Sequence, residues 1–139
     1  MTRVVVDASI VGAIVLNETT DEALYSVVVA LRGGELILAA HSLLEAASIL
    51  VKAARRQRAT LLDQKARLDR VERLLAKGAM QPSASLRTVF DLAMATGLTA
   101  YDAVYLELAL RLDATLATND DALIVAARAR GVPVLTTRP

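Results

Sequence analysis

Arg3-Val4-Val5-Val6-Asp7 is the stretch on which the fold turns. Three successive valines do not alternate with polar residues, so they read as a strand buried on both faces, as in a parallel sheet. Such a strand needs helices above and below it. Residues 8–16 predict a short helix, and Thr20 and Asp21 cap a second that runs to Leu31 and stops at Gly33 and Gly34. Glu35-Leu36-Ile37-Leu38-Ala39 reads as the next strand.

Further on, residues 42–56 predict a helix with apolar Leu43, Leu44, Ala47, Leu50, Val51 and Ala54 at helical spacing. Residues 60–77 predict a longer one, with a core stripe of Leu61, Leu62, Leu68, Val71, Leu74 and Leu75, ended by Gly78. A connection at 80–83 has room for an edge strand. Helices are expected at 85–96, with Gly97 as C-cap, and at 99–112. A strand at 114–117, a helix at 120–130 and a strand at 132–135 complete the chain. This alternation implies a three-layer α/β/α fold around a mostly parallel sheet of four to five strands, with helix well in excess of strand.

The 139 residues suit one domain, here 1–139, and 55% of them are hydrophobic, which excludes a disordered chain. Only Tyr25, Phe90, Tyr101 and Tyr105 are aromatic, so the core must be aliphatic. The absence of cysteine excludes disulfides, zinc–thiolate sites and thiol nucleophiles, and leans towards the cytoplasm. Asp7 interrupts the first apolar run too early for a signal peptide, and no uncharged stretch is long enough for a membrane span. A net charge of +1 gives no overall attraction to nucleic acid, so any affinity for phosphate must be local.

In sheets of this kind, ligands bind beyond the carboxyl ends of the strands. Asp7 ends the first strand, and Asp120 lies just past the strand at 114–117. If those strands are neighbours, both carboxylates enter one crevice. Glu45 and Asp102 occupy the first turns of helices and would join them if those turns face the same sheet end. Clustered carboxylates repel one another and tend to take up protons, and a hard divalent cation removes that cost. A bound cation also acidifies a water and offsets charge growing on a phosphate, so no protein nucleophile is required. Each acid save Asp7 has a plainer reading. Ser42-Leu43-Leu44-Glu45, Thr99-Ala100-Tyr101-Asp102 and Thr118-Asn119-Asp120-Asp121 all have the form of a capping box. Asp7 is harder to dismiss, because burying a strand-end carboxylate unpaired costs a great deal of free energy.

Four stretches carry a resemblance. They are Val4-Val5-Val6-Asp7-Ala8-Ser9, His41-Ser42-Leu43-Leu44-Glu45, the segment from Gly97 through Asp102 to Leu106, and Leu116-Ala117-Thr118-Asn119-Asp120-Asp121-Ala122-Leu123. In order and spacing they resemble the PIN-domain family, and within it the VapC-like ribonuclease toxins of bacterial toxin–antitoxin pairs. The resemblance implies that Asp7, Glu45, Asp102 and Asp120 are the catalytic acids and hold Mg2+ or Mn2+, directly or through water. It implies that Ser9 and Thr118 orient carboxylates or waters. It prefers Asp120 to Asp121, since the family's acid follows the threonine by two residues. Ser48 stands where the VapC-like pattern usually has asparagine, a polar supporting position, and the shorter side chain implies weaker activity.

The same resemblance implies a metal-dependent endoribonuclease that hydrolyses RNA, such as tRNA or ribosomal RNA, through an activated water and inhibits translation. A cognate antitoxin protein would silence it, and helices near residues 60–77 would help to form the antitoxin groove and part of a homodimer surface. The alternative is a weak or inactive PIN-like module that works by binding a partner or DNA, which Ser48 favours. A haloacid-dehalogenase-type phosphatase is disfavoured by Ser9, where that chemistry wants an aspartate. His41, the one histidine, reads as a satisfied surface or supporting group. Lys52, Arg55, Arg56 and Arg58 read as a solvated face that favours the helix C-terminus, or as a track for RNA or a partner. Tyr101 and Tyr105, four apart, are expected to pack together or at an interface.

Overall fold

The three valines lie at the centre of the molecule, none more than 2% exposed. In a computed structural model, which describes residues 2–16, 22–57 and 59–138, they belong to β1 (Arg3–Val6). The chain continues through α1 (Ala8–Leu16), α2 (Glu22–Gly33), β2 (Glu35–Ala39), α3 (Ser42–Gln57), α4 (Leu61–Ala76) and β3 (Ala79–Gln81). It then forms α5 (Leu86–Thr96), α6 (Ala100–Arg111), β4 (Thr115–Ala117), α7 (Asp121–Ala129) and β5 (Val134–Leu135). The strands form one five-stranded sheet in the order β3-β2-β1-β4-β5, and every pairing is parallel. The expected cap at Thr20 and Asp21, and Arg58 of the basic run, lie outside the described residues.

Period-two alternation divides β1 between two cores. Val5 joins Ile37, Ala39 and Leu116 in the layer that contains α6 and α7. Val4 and Val6 join Leu36 and Leu38 in the layer of α1, α2, α3 and α4. Burial of each such side chain is worth about 1.5–3 kcal/mol. The three-layer expectation is thereby met. α6 is apolar nearly all round and accordingly buried, from Ala103 through Ala109. Its exception, Glu107, is held by Arg111 through two bonds of 2.7 and 3.3 Å. Gly97 takes the left-handed conformation (φ 75°) that ends α5, which lets Thr99 cap α6 three residues before Asp102.

Two expected apolar stripes are only partly core. On α4, Leu61 and Leu62 are exposed and only Val71 is buried, with Leu74 and Leu75 packed beside it. On α3, Leu43, Leu44 and Val51 are exposed, and the inward side is the small face of Ala46 and Ala53. Ile49 and Leu50 are half-buried beside them, and Gly12 of α1 makes room for Ile49, since a Cβ there would lie 3.2 Å from it. β5 is shorter than expected. The Val132 N–H is used at the end of α7, on the Ala127 carbonyl, and Pro133 has no N–H to give. Among the described residues, no helix is long and apolar enough to cross a membrane.

Candidate metal centre

From β1 the chain moves outward to β2 and β3, while β4 and β5 lie on the other side of β1. The strand order therefore reverses between β1 and β4, and a crevice opens there at their carboxyl ends. β1 and β4 are neighbours, with Val6 opposite Ala117. Asp7 and Thr118 thus leave the sheet side by side.

Asp7 is 4% exposed, and its carboxylate is not left unpaired. Ser9 Oγ and Thr118 Oγ1 each donate to Asp7 Oδ2 at 2.7 Å. The same hydroxyls accept backbone N–H groups of the β4–α7 turn. Asn119 donates to Ser9 at 2.9 Å, and Asp120 donates to Thr118 at 3.0 Å. Two widely separated stretches, Asp7 to Ser9 and Thr118 to Asp120, are thereby tied together by one network of hydrogen bonds. Asp120 caps α7, where its Oδ1 accepts the Leu123 N–H at 2.9 Å. Asp121 points elsewhere: it is 75% exposed and pairs with Arg138 at 3.0 Å.

Glu45 and Asp102 arrive from the other direction, on the first turns of α3 and α6. Tyr105 donates to Glu45 Oε2 at 3.2 Å. Burial and then the charge of Asp7 push Glu45 up from the ordinary carboxylate range, against the pull of the Tyr105 hydroxyl. Asp102 is pushed up to about 6, first by burial and then by the charges of Asp120, Asp7 and Glu45. Asp102 therefore feels the other three acids across the crevice, and Glu45 feels Asp7.

The capping-box form survives at one of three places, although Asp120 itself proves to be the cap of α7. Thr99 accepts the Asp102 N–H at 3.2 Å. Ser42 instead accepts the Ala39 N–H at 2.9 Å, and Thr118 is committed to Asp7 and Asp120. Ser48 is exposed on α3, and no hydrogen bond joins it to the four acids among the described residues.

His41 is the residue that sequence reasoning undervalued. Its ring lies 4.8 Å from Tyr105 and 5.6 Å from Tyr101, centroid to centroid. The two tyrosines thus meet the histidine between them. His41 Nε2 lies 3.2 Å from Glu45 Oε1 without forming a hydrogen bond, and among the described residues this buried nitrogen has no hydrogen-bond partner. Burial, more than any other effect, lowers the imidazole from its ordinary value, while the Tyr101 backbone and the charges of Asp7 and Asp102 oppose this. The only available signal in the sequence was its position four residues before Glu45.

The donor set consists of carboxylate oxygens that resist sharing negative charge, which is the chemistry a hard divalent cation relieves. Among the described residues, no three acids or imidazoles are drawn together closely enough to hold an ion between them. A small hard cation that keeps most of its waters needs only one or two direct carboxylates, so the residues fit such an ion with water completing its shell.

Several solved structures share the fold. PAE2754 of Pyrobaculum aerophilum is similar with a TM-score of 0.75 and 25% identity, over 96% of this chain and 84% of that one. FitAcB of Neisseria gonorrhoeae is similar with a TM-score of 0.64 and 18% identity, over 96% and 97% of the two chains. VapBC2 of Rickettsia felis, bound to a DNA fragment from its promoter, gives a TM-score of 0.64 and 12% identity, over 97% and 98%. No curated protein matches significantly. The parallel sheet, the reversal at β1 and the acids at its mouth agree with the match of residues 4–129 to the PIN domain model, and the chain belongs to the PIN-domain family.

Proposed function

We propose that residues 1–139 act as a single PIN domain, a metal-dependent endoribonuclease that is the toxin of a cytoplasmic toxin–antitoxin pair. The observation that carries this reading is geometric: Asp7 and Asp120 follow the carboxyl ends of the neighbouring strands β1 and β4, and the first turns of α3 and α6 carry Glu45 and Asp102 to the same sheet end, where Asp102 is pushed up to about 6. PIN domains are generally nucleases, and two of the similar structures are toxin–antitoxin assemblies. Mg2+, or Mn2+ in its place, would supply an activated water and offset the charge that grows on the phosphate. Asp7, Glu45, Asp102 and Asp120 would hold that ion directly or through water. Ser9 and Thr118 keep the Asp7 carboxylate in one rotation, and Tyr105 steadies Glu45. Hydrolysis of an RNA strand, such as tRNA or ribosomal RNA, leaves a 5′-phosphate and a 3′-hydroxyl and slows translation.

The cleft beside α2 and α4 supports an antitoxin partner. It holds about 1010 Å3, with Leu24, Leu31, Leu36 and Leu74 among its apolar lining and Arg32, Arg70, Arg73 and Lys77 among its basic lining. Such a groove suits an amphipathic segment with acidic residues on its polar side. An arginine further along that segment would reach the carboxylates and block them. Exposed Leu86, Phe90 and Met94 on α5 supply an apolar face for a homodimer.

The test is cleavage of an RNA pool by the purified chain with Mn2+. Cutting is expected to vanish on chelation and in Asp7→Asn, and calorimetry is expected to show Mn2+ heat that weakens in Asp102→Ala. Intact RNA in the presence of folded, Mn2+-binding protein would sink the nuclease reading and leave a non-catalytic binding module.

A further inference from the structure

The four acids suit a phosphate and an ion, but nothing in them addresses a base. A group that does stands next to them. The chain has only four aromatic residues, three Tyr and one Phe, and two of them lie on α6 at the acid cluster. They differ sharply: Tyr105 is wholly buried, whereas Tyr101 is 65% exposed. Tyr101 is the residue before Asp102, whose carboxylate feels the other three acids. An exposed tyrosine is ordinary by itself, but this one is braced. The His41 ring lies 5.6 Å from it at 52° and rests in turn on buried Tyr105 at 4.8 Å. Leu43 and Leu44, in the turn just after His41, are 58% and 71% exposed and add apolar surface to the same region.

Resting on the nuclease reading above, we propose that Tyr101 stacks on the nucleobase adjoining the scissile phosphate and so sets which base of the strand lies beside the cut. A phosphodiester engaged at the carboxylates places its neighbouring bases within reach of the residue beside Asp102. Every base offers a π-face, so stacking tolerates sequence and contributes about 5- to 150-fold per base. A ring already fixed on one side by an imidazole loses little freedom when a base covers the other.

The experiment uses short RNAs with 2-aminopurine at each position around the cleavage site. They are bound with Mn2+ to the Asp7→Asn protein so that the strand stays whole. One position is expected to show quenched fluorescence, which is lost when Tyr101→Ala is added and kept with Tyr101→Phe. In the otherwise wild-type protein, Tyr101→Ala is expected to lower cleavage of single-stranded RNA by about 5- to 150-fold. An abasic nucleotide at the quenched position should cost wild type the same factor and cost Tyr101→Ala nothing more. Unchanged quenching, additive losses, no RNA binding, or a change of oligomeric state in Tyr101→Ala would each overturn the proposal. Its fate is separable from that of the nuclease reading. Cleavage indifferent to Tyr101 removes the stacking alone, whereas Tyr101-dependent quenching without any cleavage removes the nuclease and keeps the base contact. Melting temperature and Mn2+ calorimetry of Tyr101→Ala establish that fold and acids are intact.

Discussion

The strand-borne half of the acidic crevice and its helix-borne half are built in opposite ways. At Asp7, two hydroxyls converge on one carboxylate oxygen, and each hydroxyl is fixed in turn by a backbone N–H. At Glu45 and Asp102, a single hydroxyl assists each carboxylate, and both are pushed up by burial and by their neighbours' charge. One half is therefore ordered by the protein itself. The other is left with a repulsion that a proton or a counter-charge must relieve. A site that must both hold an ion and exchange substrate around it gains from this division, since one edge stays fixed while the other answers to the ion.

The largest effect expected within this comparison is that of Thr118→Val, which keeps the shape and removes the hydroxyl. Asp7 Oδ2 then loses a donor and the Asp120 N–H loses its acceptor. Cleavage should fall by about 10–100-fold, as for other groups that orient metal ligands. Denaturant unfolding should show a loss of about 1–3 kcal/mol for the buried groups left unpaired. A variant with wild-type stability would break the distinction between the halves.

A smaller effect is expected from Asp102, and its sign is opposite to that of an ordinary salt-bridged carboxylate. Its folded value, about 6, lies above the ordinary 3.8, so the native state holds more protons than the unfolded one between the two. Metal-free protein should therefore lose stability as pH rises through that window. Mn2+ reverses the preference, because it binds the ionised acid. Melting curves should show a larger gain from Mn2+ near neutral pH than near about pH 4.5, and Asp102→Asn should flatten the metal-free profile. Equal gains at both pH values would mean that Asp102 does not belong to the ion's surroundings.

The smallest effect is assigned to Ser48→Asn. The residue is exposed and joined to none of the acids, so stability should change by no more than about 0.5 kcal/mol and cleavage should barely move. A large gain in cleavage would show that an asparagine there reaches the crevice, and would enlarge the helix-borne half.

Much of this architecture was legible because it depends on local chemistry. The valines announced a two-sided strand, Gly97 and Thr99 marked the turn into α6, and Thr60 and Ser85 cap their helices. The placement of Asp7 and Asp120 followed from the rule for parallel sheets. Misreadings arose where long-range partners displaced local ones. Thr118 had the right spacing to cap a helix, but a buried carboxylate 111 positions away claims its hydroxyl. Ser42 is likewise drawn to the end of β2. The i,i+4 spacing of Tyr101 and Tyr105 says that they share a helix face, yet cannot say that His41 fills the space beside them. The apolar spacing of α3 was only partly inward: Leu50 packs on the core beside Ala46, whereas Leu43, Leu44 and Val51 face outward.

Asn119 gives the crevice a rear anchor. Its side-chain oxygen accepts from the Thr136 hydroxyl and the Thr137 N–H, both at 2.9 Å, and its amide nitrogen donates to the Thr137 hydroxyl at 2.7 Å. Its own backbone N–H meanwhile rests on Ser9. One amide side chain thus buckles the segment after β5 onto the turn that carries Asp120. Residues 136–138 lie beyond the 4–129 span that marks the family, yet through Asn119 they are bonded to the same turn that Ser9 and Thr118 tie to Asp7. A fusion joined directly to this segment handles the working edge of the molecule, whereas one joined at Thr2, at the opposite end of β1, does not.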